Sequence, residues 1–132
     1  MSTTTNPIEI VRRAYQAFSA GDAATLSALF ADDVVHTLPG TSPISGAHKG
    51  LAAVLTLYGR LAELTDGTLR IELEDLLTDG TDRVLAIHTA TATRNGRRLE
   101  AREGLVVTVH DGKIVSLDDF FDDLERYDDF WA

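Results

Sequence analysis

Two dipeptides, Asn95-Gly96 and Asp111-Gly112, cut the segment from Arg83 to Asp122 into three long stretches rich in aliphatic and β-branched residues. Each dipeptide is the preferred chemistry of a two-residue hairpin turn. The segment therefore predicts three consecutive antiparallel strands, roughly 83–94, 97–110 and 113–122. A fourth strand is expected at about 68–78. In the last of these strands alternate residues share a face, which puts Val115, Leu117, Asp119 and Phe121 together. That face is apolar apart from one carboxylate. A carboxyl group in such surroundings can hold or release a proton near neutral pH. If the face lines a pocket, Asp119 is its acid or base.

Ahead of the strands the pattern is helical. Asn6 reads as an N-cap, with Pro7 at the first helical position and Glu9 three residues after the cap. Ile8, Val11, Tyr15 and Phe18 recur at helical spacing. Gly21 ends this helix, and Asp22 caps a shorter one carrying Leu26, Leu29 and Phe30. Asp32-Asp33 break it, and Val34 to Leu38 follows as a short strand. Residues 39–50 read as a loop. Leu51, Val54, Leu55, Tyr58, Leu61 and Ala62 mark a third helix ending near Thr65-Asp66-Gly67. The tail from Asp123 to Ala132 is expected to form a short closing helix with Phe130 and Trp131 docked back, and residues 1–5 a frayed end. Helices followed by a run of strands imply an α+β fold: one domain over 1–132, with three N-terminal helices on one face of a curved antiparallel sheet. Leu29, Phe30, Val54, Leu55, Tyr58, Leu105, Val107 and Leu117 are its expected buried residues, several lining one cavity.

Composition narrows the function classes. The net charge of -9, with no basic stripe, argues against nucleic acid as a partner. There are no cysteines, which removes disulfides and thiolate chemistry and fits a reducing cytoplasm. No run approaches membrane-spanning length, and Met1 to Pro7 lacks a hydrophobic signal core. The four histidines show no pair at metal-ligand spacing, so no metal site is expected.

The order of elements resembles the nuclear transport factor 2-like superfamily, and within it the SnoaL-like polyketide cyclase branch. The carriers are Ala20-Gly21-Asp22 with Leu29-Phe30-Ala31-Asp32-Asp33-Val34, the loop from Pro39-Gly40 to Lys49-Gly50, and Asp111-Gly112-Lys113-Ile114-Val115. The resemblance spans nearly the whole chain. It implies a cone-shaped, cystatin-like α+β roll. Ketosteroid isomerase aligns almost without gaps through the first carrier, but its oxyanion tyrosine falls on Ala14 and its base aspartate on Leu38. Tyr15 is one residue away, a rotation of about 100° on a helix. In limonene epoxide hydrolase the last strand carries an aspartate run that matches Asp119-Phe120-Phe121-Asp122, and its catalytic aspartate falls on Asp119. SnoaL-like cyclases likewise carry an acid/base aspartate on this strand. The hydrolase's Arg-x-Asp pair falls near Ile87-His88-Thr89 and is absent.

Asp119 thus heads the candidates, against the alternative that it begins a solvated acidic stretch. His36 shares a face with Val34 and Leu38, either toward the pocket or at a strand edge bonded to backbone. His88 shares a face with Val84, Ala86 and Ala90, and the pattern leaves its facing open. Glu103 lies with Ala101, Leu105 and Val107 as a second pocket carboxylate or as a cross-strand ion-pair partner. Asp119, His36 and His88 are the expected catalytic groups; Leu38, Tyr58, Glu103, Leu105, Leu117 and Phe121 are the expected substrate contacts. His48 and His110 are expected outside the site. The implied function is cofactor-independent acid/base chemistry on a small apolar, polyketide-like molecule: cyclisation, isomerisation, dehydration or epoxide opening. The alternative is a non-catalytic ligand-binding or dimerisation module. The threonine-rich outer face at 89–93 suits a homodimer.

Overall fold

A computed structural model of the protein describes residues 6–132. The expected frayed end at 1–5 lies outside the described residues. The element order is α1 (Pro7–Ala20), α2 (Ala23–Leu29), β1 (Phe30–Leu38), β2 (Gly46–Lys49), α3 (Leu51–Leu64), β3 (Arg70–Thr78), β4 (Arg83–Arg94), β5 (Arg97–His110), β6 (Lys113–Phe121) and α4 (Leu124–Trp131).

Local chemistry sets the helix ends. The Asn6 side chain accepts from the Ile8 amide at 3.0 Å, and Asp22 accepts from the Thr25 amide at 3.0 Å. Gly21 terminates α1 in the left-handed region. Both hairpin dipeptides have positive φ at each central residue: 51° and 77° at Asn95-Gly96, 50° and 77° at Asp111-Gly112. That is the type I′ geometry whose twist matches the strands it joins.

The six strands run in the order β2-β1-β6-β5-β4-β3. All neighbours are antiparallel except β1 and β6, which are parallel. The sheet is therefore mixed, where the sequence predicted an antiparallel one. The hairpin turns specify only neighbours in sequence, and β1 finds its partner at the far end of the chain. Residues 46–49, expected as loop, form β2 along β1, with His36 opposite His48.

The register shifts in three places, between Phe30 and Val35 on β1 and at single-residue bulges on β6 and β3, and the bulges bend the sheet. On β6, Thr108 faces Ser116 while the adjacent Val109 faces Ile114, which leaves Val115 as the extra residue. On β3 the extra residue is Glu74. The β6 bulge corrects the expected face: Ile114, Leu117 and Asp119 point inward, and Val115 occupies the bulge.

The helices cover the concave face. Leu29, Phe30, Val54, Leu105, Val107 and Leu117 are buried there, with Leu55 and Tyr58 packed against them partly buried. A second apolar cluster is closed by α4, where Tyr127, Phe130 and Trp131 pack on Leu38, Ile44 and Leu99. The Asp123 side chain caps α4 by accepting from the Arg126 amide at 3.1 Å. The Arg97 guanidinium donates to the carbonyls of Asp129 and Ala132 at 3.0 and 2.9 Å. Among the described residues no helix is long and apolar enough to cross a membrane.

Trp131 is 2% exposed and both closes the core and borders the cavity. Trp131→Ala is expected to cost about 3–5 kcal/mol, the range for truncating a buried large aromatic, read as a lower urea midpoint at unchanged m-value.

Candidate functional site

A cavity of about 100 Å³ lies between the helices and the concave face of the sheet. Its wall is mainly aliphatic and aromatic, including Val11, Phe30, Leu38, Leu57, Leu105 and Leu117. Into it project His36 from β1, Asp119 from β6, Glu103 from β5 and His88 from β4, with Tyr15 from α1 and Tyr58 from α3.

The strands supply these groups by alternation. On β1, Val34, His36 and Leu38 are all buried. On β4, His88 faces inward with Val84, Ala86 and Ala90, which settles the facing that its pattern left open. On β6, the Val115 bulge sets the phase that turns Leu117 and Asp119 to the cavity.

The polar groups form two chains. Asp119 Oδ1 lies 2.6 Å from His36 Nε2, and His36 Nδ1 lies 2.8 Å from the Tyr58 hydroxyl. Glu103 Oε1 lies 3.0 Å from His88 Nε2, and His88 Nδ1 lies 2.7 Å from the Tyr15 hydroxyl. With an ionised carboxylate and a neutral imidazole, each histidine donates from Nε2 to the carboxylate and accepts at Nδ1 from the tyrosine. His36, His88 and Glu103 are 7%, 4% and 7% exposed. The Tyr58 ring is held edge-on by Phe18, Phe30 and His36.

Burial pushes both the Tyr15 and the Tyr58 hydroxyl well above the usual tyrosine range, and the carboxylate charge of Asp119 adds to this. Both therefore keep their protons as hydrogen-bond donors. Burial also raises the Glu103 carboxyl above its ordinary value, opposed by the hydrogen bond from His88 and reinforced by Asp119 and Asp122. Glu103 Oε2 is buried with no hydrogen-bond partner.

Eight of the nine residues expected at the site border the cavity: Asp119, His36, His88, Leu38, Tyr58, Glu103, Leu105 and Leu117. Phe121 is the correction. Its ring stacks on Tyr127 at 3.8 Å between centroids and holds α4 instead of lining the cavity. His48 binds the Ile44 carbonyl at 2.8 Å, and His110 sits at the surface beside Asp111. Two roles escaped the sequence. Tyr15 is a full member of the second chain, and its place at helical spacing among apolar residues looked like core. Tyr58 is a histidine partner as well as wall. Among the described residues no three histidine or carboxylate groups converge as metal ligands would.

A raised Glu103 pKa links the site to stability. The folded state holds this proton more tightly than the unfolded chain, whose ordinary value is 4.5. The resulting stabilisation is complete below 4.5 and is lost as pH rises through the folded-state value. Glu103→Gln carries no such proton. Thermal melts should show the Tm of Glu103→Gln gaining on that of the wild type as pH rises from acid to neutral. A Tm difference independent of pH would contradict the raised value.

Comparison with known proteins bears on the same architecture. A family model described as a SnoaL-like domain matches residues 11–117. Protein Rv0034 of Mycobacterium tuberculosis is 37% identical over 125 residues, covering 95% of each chain. The structure of Bal32a, from a soil-derived mobile gene cassette, superposes with a TM-score of 0.93 at 37% identity, covering 96% of this chain and 100% of that one. IdmH of Streptomyces antibioticus, a proposed polyketide cyclase, superposes with a TM-score of 0.73 at 23% identity, covering 89% and 92%. At that identity the likeness is one of fold.

Proposed function

The chain belongs to the SnoaL-like domain family, and from that premise we propose that it is an acid/base enzyme acting on a small apolar, oxygen-bearing molecule of polyketide type. The observation that carries this reading is the 2.6 Å contact of Asp119 Oδ1 with His36 Nε2 inside an otherwise apolar cavity, backed by Tyr58. Asp119 is the proton carrier. Its carboxylate takes a proton from a carbon next to a carbonyl. The C–H electron pair moves into the carbon skeleton, and the same proton is returned elsewhere on the product. His36 orients the carboxylate and steadies its charge, and Tyr58 fixes the imidazole by donating to Nδ1. Ring closure and double-bond migration share this step. It moves protons only and draws on no cofactor. The apolar lining supports an apolar ligand, and IdmH, which shares the fold, supplies the polyketide class as the candidate to test.

Aryl-substituted β-polyketones test the reading, with product isomers followed by chromatography. Asp119→Asn keeps the shape of the side chain and removes the titratable proton. Turnover should fall roughly 10²- to 10⁴-fold while circular dichroism shows an unchanged fold. Equal turnover by the variant would remove Asp119 from the mechanism.

The outer face of the sheet supports a further part of the proposal, a homodimer. Leu85, Ile87 and Val106 are half-buried there, and Phe120 is 39% exposed over Gly104. Light scattering at micromolar concentration should return twice the chain mass; the mass of one chain would refute it.

A further inference from the structure

His36, Asp119, Glu103 and His88 stand on β1, β6, β5 and β4, four consecutive strands of the sheet. Asp119 is opposite Leu105 and Glu103 is opposite Phe121, so the two carboxyl groups are diagonal neighbours on one face. Such positions lie roughly 7–8 Å apart between Cα atoms. Tyr58 and Tyr15 complete the row from α3 and α1 on its two flanks. The cavity floor therefore carries two similar tyrosine–histidine–carboxyl chains with their carboxyl ends at the centre.

The two chains differ in one respect. Glu103 uses Oε1 on His88 and leaves Oε2 buried without a partner. A buried carboxyl oxygen without a partner is costly, so in native proteins it is met by a further group. The residue is 7% exposed and borders the cavity, so whatever completes it enters through the cavity.

We infer that the cavity is two-ended: Glu103, with His88 and Tyr15 behind it, is a second oxygen-recognition point, and the ligand is an apolar molecule bearing two separate oxygen functions. This rests on the reading of the cavity as a small-molecule site. One ligand oxygen sits at the Asp119–His36 end and the other at Glu103 Oε2. A carboxyl oxygen serves either partner chemistry, accepting from a ligand hydroxyl when ionised and donating to a ligand carbonyl when protonated. Burial raises the Glu103 carboxyl above its ordinary value, His88 opposes this, and Asp119 and Asp122 add to it. Tyr15 and Tyr127 face the same group as neutral hydroxyls. A ligand with one oxygen function fills the apolar walls and leaves one end unmatched.

The test compares naphthol with dihydroxynaphthalenes whose hydroxyls lie on one ring or on opposite rings, titrated by fluorescence. In the wild type at least one dihydroxy compound should bind roughly tenfold or more tightly than naphthol, the worth of one well-made hydrogen bond to such a group. Glu103→Leu should bring the ratio of the two affinities close to one, and Glu103→Gln, which can still hydrogen-bond, should restore it. A purely structural glutamate would shift both affinities together and leave the ratio alone. A wild-type ratio near one for every isomer, no binding of any of these compounds, or a ratio that survives in Glu103→Leu overturns the inference. If Glu103→Leu does not fold, a crystal structure of the wild type with the tightest dihydroxynaphthalene decides: a ligand oxygen within hydrogen-bond reach of Glu103 Oε2 upholds it, and any other placement overturns it. The outcome separates from that of the proposed catalysis. Unchanged turnover in Asp119→Asn removes the catalytic role and leaves the affinity ratio standing, and a ratio near one removes the second end and leaves the Asp119 result standing.

Discussion

A carboxylate cannot sit in an apolar cavity alone, and the architecture of this protein follows from how that constraint is met. Taking an ionised carboxylate out of water without a partner is costly enough that the group would give up its charge instead. Asp119 meets the requirement through His36 at 2.6 Å, and Glu103 through His88 at 3.0 Å. Each histidine is in turn bonded to a tyrosine hydroxyl carried by a helix. The chains therefore tie sheet to helices by polar contacts, across the apolar layer that packs them together. Removing one member leaves the next buried and unsatisfied.

The parallel pair of β1 and β6 matters for this reason. It is the only parallel pair among the described strands, and it sets His36 level with Leu117, two residues from Asp119. The contact joins residues 83 positions apart in the chain. The second pair is more local, since His88 and Glu103 face each other directly in the β4–β5 hairpin. One half of the cavity floor is thus assembled by a hairpin. The other half waits on the last strand meeting the first.

That difference explains what could be read from the sequence. The hairpins were legible because Asn-Gly and Asp-Gly state their own geometry, and the strand limits at Arg94, Arg97, His110 and Lys113 follow from them. The helix caps at Asn6 and Asp22 were legible for the same local reason. His36, Asp119 and Glu103 stood out because each interrupts an apolar face. The parallel pairing of β1 was not legible, since no turn connects it to β6. The short β2 was hidden by a glycine-rich stretch with no alternation. Tyr15 was hidden because a tyrosine at helical spacing satisfies the core pattern whether or not its hydroxyl has a role. Phe121 was misplaced because alternation says which side of the sheet a residue faces but not what covers it, and α4 covers it.

The bulge at Val115 carries a consequence for how such a site changes over time. A β6 paired without it, with Ile114 still inward, would turn Ser116 and Asp118 to the inside and send Leu117 and Asp119 to the surface. Asp118 and Asp119 are adjacent, so either phase of the strand offers an aspartate to the interior. Deleting Val115 would restore unbroken alternation and keep Leu117 and Asp119 inward, whereas inserting one residue after the bulge would move Asp118 into the position of Asp119. The strand works like a ratchet with two equivalent teeth. In a lineage built on it, losing the bulge residue leaves the aspartate in place and gaining one residue moves its neighbour there, a kind of tolerance that substitutions at Asp119 do not share.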